Sequence, residues 1–244
     1  MVIRTTSQPM YENGSLSQVT GGPLHPGGQD LTARLITLCD LPAGAIVLDV
    51  GSGTGLTIGM LLDDGFNAIG MDRSEMLLRN GKAARPDLPL TCGLGDGLPV
   101  ANEQLDAVLS ECSFCAILNP EHMLSEFWRV LRPAGRLAIS DLYIRNPRWL
   151  PILRALPLSC GLHEAMTKTD LVSKLQKNNF RLLTWEDHSD TLKYLAAQII
   201  LSHGSMVDFW RQSEPTADPM EIQQAIQKVE LGYYLLVAEK TKVV

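Results

Sequence analysis

At 244 residues, with 45% apolar side chains, the chain is long enough for one large α/β domain or a core with a helical addition. Its 21 basic and 27 acidic residues leave a net charge of −6, which argues against nucleic acid as substrate because phosphate neutralisation needs clustered Lys and Arg. No apolar run reaches the roughly 18 residues of a membrane span, and no basic region leads into an apolar core at the start. The five cysteines then read as free thiols in a reducing, cytoplasmic setting.

Residues 1–28 are polar and rich in Gly, Ser, Thr and Pro, which predicts an irregular arm or lid. Residues 29–244 then read as one domain, with a cofactor half to residue 142 and a substrate-side half beyond it. A first helix spans Gln29 to Cys39, and Ala45 to Val50 has strand composition. Val47 to Gly55 reads Val-Leu-Asp-Val-Gly-Ser-Gly-Thr-Gly and leads into a helix at Leu56. Such a glycine loop lets backbone approach a ligand closely, and the helix start offers unpaired N–H groups. A tight turn alone would need one glycine rather than three.

Phe66 to Met71 is a second strand ending at Asp72, about 20 residues after the first glycine, where a carboxylate can accept from both hydroxyls of a ribose. Nicotinamide enzymes share that acid, but the third glycine of this loop comes one position early for the dinucleotide pattern. Ser74 is placed to cap the next helix, and Met76 reads either as an adenine contact or as core filler. Gln104 to Ser110 is the fourth strand, His122 to Leu131 a helix, and Arg136 to Ser140 the fifth strand. Alternation of strand and helix implies a parallel sheet.

Tyr143 to Ala165 reads as loop and short helix. A helix capped by Thr167 runs to Asn178, and a strand spans Phe180 to Asp187. A helical insertion occupies about 190–229, as Thr191 to Ser202 and Met220 to Val229 with a linker between, before the last strand Gly232 to Glu239.

Several segments together resemble the class I S-adenosylmethionine (SAM) methyltransferases. Asp49-Val50-Gly51-Ser52-Gly53-Thr54-Gly55 is similar to that family's first motif. Gly70 to Leu77 resembles its G-x-D-x-S-x-x-M-L segment, one residue shorter. Thr91 to Pro99, Gln104 to Ser110 and Leu131 to Leu137 follow in the family's order, with Ala134 in place of one glycine. The likeness is close over about 28–142, and within the family it is nearest to the ubiquinone/menaquinone C-methyltransferases and the arsenite methyltransferases. It implies a Rossmann-like, seven-stranded, mostly parallel sheet with helices on both faces. It implies SAM as cofactor, held by Asp49, Gly51, Ser52, Gly53, Gly55, Asp72, Arg73, Met76, Asp96, Gly97, Leu98, Ser110 and Glu111.

Cys112 and Cys115 follow strand four, at the carboxyl edge of the sheet where ligands bind, and Cys160 falls in the segment after strand five. Cys112-x-x-Cys115 and Cys160-x-x-His163 supply ligand types for a soft thiolate site, As(III) included, or equally for apolar pocket lining. The arsenite methyltransferases carry cysteines in comparable places. The acceptor expected is therefore a small molecule, either a metalloid or thiol or a quinone-like carbon or oxygen centre. Glu111, Asp141 and His163 are the candidate bases, while Tyr11 and His25 read as lid or surface. A nicotinamide oxidoreductase and a non-catalytic SAM- or metal-binding protein are the alternatives. Neither the acceptor's identity nor the oligomeric state is legible.

Overall fold

The computed structural model describes residues 10–95, 97–117, 119–158 and 160–242, and for His163 the backbone only. In chain order it runs α1 (Ser15–Thr20), α2 (Gly28–Cys39), β1 (Ile46–Val50), α3 (Leu56–Asp63), β2 (Asn67–Asp72), α4 (Glu75–Ala84), β3 (Leu90–Cys92), β4 (Leu105–Glu111), α5 (Pro120–Val130) and β5 (Leu131–Ile144). There follow α6 (Leu150–Ala155), β6 (Met166–Thr167), α7 (Lys168–Lys177), β7 (Phe180–Asp187), α8 (Asp190–His203), α9 (Met206–Ser213), α10 (Pro219–Val229) and β8 (Leu231–Lys240). Short 3-10 turns cover Phe114–Ala116, Pro147–Trp149 and Gly161–Glu164.

The strands form one sheet in the order β3-β2-β1-β4-β5-β8-β7, and β6 pairs in parallel with the far end of β5. The described strands therefore number eight rather than seven: the extra one is the two-residue β6, too short to carry a periodic pattern. All pairings from β3 to β5 are parallel, and β8 runs antiparallel to both β5 and β7.

Alternation along the strands divides the core in two. Leu48, Val108, Tyr234 and Leu236 face α5 and α7, where they meet Leu124, Phe127, Leu171 and Leu175. Val47, Leu109, Tyr233 and Leu235 face the other way, against Leu31, Leu35 and Cys39 of α2 and Ile58 and Leu61 of α3. The central strands β1 and β4 thus bury apolar residues on both faces, as a sheet covered on both sides requires.

A third apolar cluster lies off the sheet. It joins Met10 and Leu16 of the arm to Leu153, Ile199, Phe209, Trp210 and Ile222 of the substrate-side helices. Two expectations are corrected here. The arm is not wholly irregular, since α1 buries Leu16, and the linker between the inserted helices holds α9. Helix α9 starts where the Ser205 hydroxyl accepts from the Asp208 N–H, and it buries Phe209 and Trp210.

Candidate functional site

Strand order reverses between β1, whose successor β2 lies on one side, and β4 on the other. In an open α/β sheet that switch point opens a crevice at the carboxyl ends of the strands. A cavity of about 470 Å³ lies there, walled by the glycine loop after β1, the ends of β2 and β4, the 93–95 loop and the arm.

The glycine loop is fixed by backbone. The N–H groups of Gly51 and Ser52 donate to the Met71 carbonyl at 2.8 and 3.1 Å, and that of Gly53 donates to Asp72 Oδ2 at 2.8 Å. Asp72 Oδ1 accepts from the Ser74 N–H at 2.8 Å, so one carboxylate ties the loop to the tip of β2 and to the start of α4. Gly51 sits at φ +85°, and a Cβ there would fall 2.3 Å from Ser113 Cβ. Ser113 in turn donates to the Val50 carbonyl at 2.7 Å and bonds Ser110 Oγ at 2.7 Å.

Asp49 is 2% exposed, and burial together with the nearby Glu111 and Asp72 pushes its carboxyl well above the usual range. Its Oδ1 has no hydrogen-bond partner, and neither does Ser52 Oγ, although both are shielded from solvent. Two orphaned polar atoms on the wall of a cavity are free to pair with a ligand's polar groups. Four carboxylates line the cavity (Glu12, Asp49, Asp72 and Glu111) against the guanidinium of Arg73 and the imidazole of His25. That balance suits a ligand carrying positive charge, as SAM does at its sulfonium and ammonium groups.

Glu111, 8% exposed at the end of β4, accepts from the Thr57 hydroxyl at 2.8 Å and the Thr32 hydroxyl at 2.9 Å. His25 Nε2 stands 3.8 Å from its Oε2. Tyr11 and Cys112 line the same wall.

Of the residues expected from the sequence, Asp49, Gly51, Ser52, Gly53, Asp72, Arg73, Glu111 and Cys112 line the cavity. Others stand behind it. Gly55 packs on Leu90, Ser110 braces Ser113, and Leu98 is core with its N–H on Glu126. Gly97 and Met76 face elsewhere; helical geometry turns Leu77, one residue later, to the cavity instead. Asp96 and the side chain of His163 lie outside the described residues.

Asp141 also points away from the cavity. Fully buried, it accepts from the N–H groups of Cys115 at 2.8 Å and Leu142 at 2.7 Å, and so holds the turn after β4. Desolvation raises its pKa, against which the Cys115 hydrogen bonds pull down.

The thiols are brought near one another without forming a metal site. A Cβ at Gly161 would lie 2.6 Å from the Cys115 carbonyl oxygen, so the Cys160 segment packs on the turn after β4. Yet Cys115 and Cys160 are buried off the cavity, and burial pushes the Cys112, Cys115 and Cys160 thiols all upward, away from thiolate. Among the described residues no group of three or more His, Cys, Asp or Glu could hold a metal ion.

Thr32, Thr54, Thr57, Leu77, Gly93, Gly95 and Met123 line the cavity without having been singled out. The paired glycines carried a signal: a Cβ at Gly93 would meet Met71 Sδ at 2.7 Å, and one at Gly95 would meet Met123 Cε at 2.1 Å. The threonines carried none.

Fold and cradle together define a class I, SAM-binding α/β domain. Residues 48–139 match the family model described as a methyltransferase domain. Demethylmenaquinone methyltransferase of Beutenbergia cavernae is 36% identical over 126 residues, covering 51% of this chain and 52% of the relative. The chain thus spans about half the length of such curated relatives. Among solved structures, the [4+2]-cyclase SpnF is 23% identical with TM-score 0.74, covering 96% of this chain and 94% of that one. A Haemonchus contortus phosphoethanolamine N-methyltransferase 2, complexed with phosphomonomethylethanolamine and S-adenosylhomocysteine, is 15% identical with TM-score 0.71 over 93% of this chain and 56% of that one. These two share the fold.

Proposed function

We propose that the chain transfers a methyl group from SAM to a small organic acceptor of the quinol or phenol type. The observation that carries this reading is the acidic glycine cradle, with Asp49 Oδ1 and Ser52 Oγ unpartnered beside Asp72. When bound, SAM supplies a methyl group activated by its sulfonium charge. Asp72 would take the ribose hydroxyls with the lone pairs its two backbone donors leave free. A cationic ligand beside Asp49 and Glu111 would offset the burial and like charge that push the Asp49 carboxyl up. Met71, Leu77 and Met123 would hold the adenine between apolar surfaces. The arm, through Tyr11, Leu24 and His25, would exclude water from the reacting atoms.

Likeness to demethylmenaquinone methyltransferases supports a quinol acceptor. Upward-shifted thiols, with Cys112 alone on the cavity, weigh against a thiolate-held metalloid. The test is S-adenosylhomocysteine release from SAM with 1,4-dihydroxynaphthalene as acceptor, beside arsenite with excess thiol. Release with the naphthol but not with arsenite is expected. Arsenite-dependent release that is lost in Cys112→Ser would overturn the organic-acceptor reading.

A further inference from the structure

From Leu142 to His163 the sequence carries no acidic residue, although acids outnumber bases over the whole chain. Between Arg145 and Pro157 every exposed residue is an arginine or apolar: Arg145, Arg148 and Arg154, with three prolines, Ile152 and Ala155. A solvated connection would show Ser, Asn, Asp or Glu instead. Ile152 is 43% exposed, while Leu153 beside it is buried in the cluster that holds Met10 and Leu16 of the arm. Helix α10 adds Lys228 to this face. Its ammonium stands 4.8 Å from the centre of the Trp149 ring, and the Arg148 guanidinium stands 5.6 Å from it. Arg145 Nη2 donates to the Leu231 carbonyl at 3.3 Å and so lies beside the end of α10. Among the described residues no carboxylate comes within ion-pair distance of Arg145, Arg148 or Lys228. Two acids adjoin the group. Asp187 accepts from the Tyr143 hydroxyl at 2.8 Å and the Ser189 N–H at 2.9 Å, and Glu230 is exposed just after α10.

We infer that this face, formed by residues 145–157 and Lys228, docks on the surface of an anionic phospholipid bilayer. The three arginines and Lys228 meet the headgroup phosphates, while Ile152, Ala155 and the apolar edge of Trp149 enter the boundary beneath them. Only arginine and apolar side chains are exposed there, which is the composition such a boundary selects. A nucleic acid would need an open aromatic ring and polar side chains to read it. Trp149 already carries two cations, and no exposed residue between 145 and 157 is polar and uncharged. Strands β4 and β5 run parallel, so the face begins at the same edge of the sheet as the cavity walled by the end of β4. A docked chain would therefore meet an apolar acceptor in the phase where it dissolves. That consequence rests on the methyl-transfer reading; the docking itself does not.

The test is co-sedimentation of the whole chain with phosphatidylcholine vesicles, with and without phosphatidylglycerol, in the absence of SAM and acceptor. Binding to the phosphatidylglycerol vesicles is expected to be at least about tenfold tighter and to decline as salt is raised. Arg148→Gln combined with Lys228→Gln should weaken it about twenty-five-fold, about fivefold for each cation. Ile152→Ser, which removes apolar surface and no charge, should weaken it about fivefold. Arg79→Gln combined with Lys82→Gln takes the same charge from exposed positions of α4 and should change binding by less than about twofold. Equal binding to the two vesicles, or an equal loss in the two double variants, would overturn the inference. So would a dimer that forms without vesicles and dissociates in Arg148→Gln with Lys228→Gln, which would assign the face to a second copy of the chain. Calorimetry with S-adenosylhomocysteine keeps the two readings apart: no binding there fails methyl transfer and leaves the vesicle result standing.

Discussion

Asp49 shows how a single side chain can be costly to the fold and useful to the site. A buried carboxylate with an unpartnered oxygen, beside two further carboxylates, opposes folding unless a ligand compensates it. Replacing it by Asn removes the charge and keeps the shape. Asp49→Asn should therefore raise the stability of the ligand-free protein by about 1 kcal/mol at neutral pH and weaken S-adenosylhomocysteine binding at least about tenfold. The raised carboxyl holds its proton more tightly folded than unfolded. Stability from this group is therefore present below pH 3.8 and is lost as the pH rises through the folded value. The gain from Asn should be larger at pH 8 than at pH 4, and denaturant titrations at the two values check it. Asp49 and its glycines were legible because the motif is contiguous. The Glu111 network was not, because it joins Thr32, Thr57 and His25 across up to 86 positions (111 − 25) and no local pattern encodes such a meeting.

Between elements, α4 packs tightly against the glycine loop. Gly81, inside α4, places its missing Cβ 2.1 Å from the Thr54 carbonyl oxygen. Helix propensity alone says that Gly81→Ala should stabilise by about 1 kcal/mol. Contact with a backbone atom reverses the sign, since neither the loop nor the helix can rotate the clash away. Gly81→Ala should lower stability by about 1–3 kcal/mol and weaken S-adenosylhomocysteine binding, because the loop that must yield is the one holding the cofactor. Thermal melts with calorimetry would decide it, and a higher melting temperature would refute the packing argument. The sequence shows α4 well: Ser74 caps it by accepting from the Leu77 N–H at 3.3 Å. It does not show what Gly81 is for, because the partner is a carbonyl 27 positions earlier (81 − 54). Helix α9 and strand β6 escaped notice for a different reason: at eight and two residues they are too short for periodicity to declare them.

Across the whole molecule, the fold depends on threading β8 antiparallel between β5 and β7, after three helices inserted between β7 and β8. Its apolar residues alternate on both faces and would tolerate a two-residue slip in register. Charge opposes that slip. Glu239 pairs across the sheet with Arg136 of β5 and Arg181 of β7, its direct register partners on the two sides. Oε2 accepts from Arg136 at 2.5 Å and Oε1 from Arg181 at 2.7 Å, with the carboxylate side chain 18% exposed. These hydrogen bonds outweigh desolvation and hold the Glu239 carboxyl below its ordinary value of 4.5. A depressed carboxylate contributes stability above its unfolded pKa and loses it as the pH falls through the folded one. Glu239→Gln should cost about 1–2 kcal/mol at pH 7, and the difference from wild type should close as the pH falls below 4.5. Asp49 has the opposite dependence, so the same pair of titrations distinguishes a carboxylate that secures the sheet from one that opposes folding at the site. A Glu239→Gln deficit that persisted unchanged at pH 3 would mean that packing, and not this three-charge ladder, sets the register of β8.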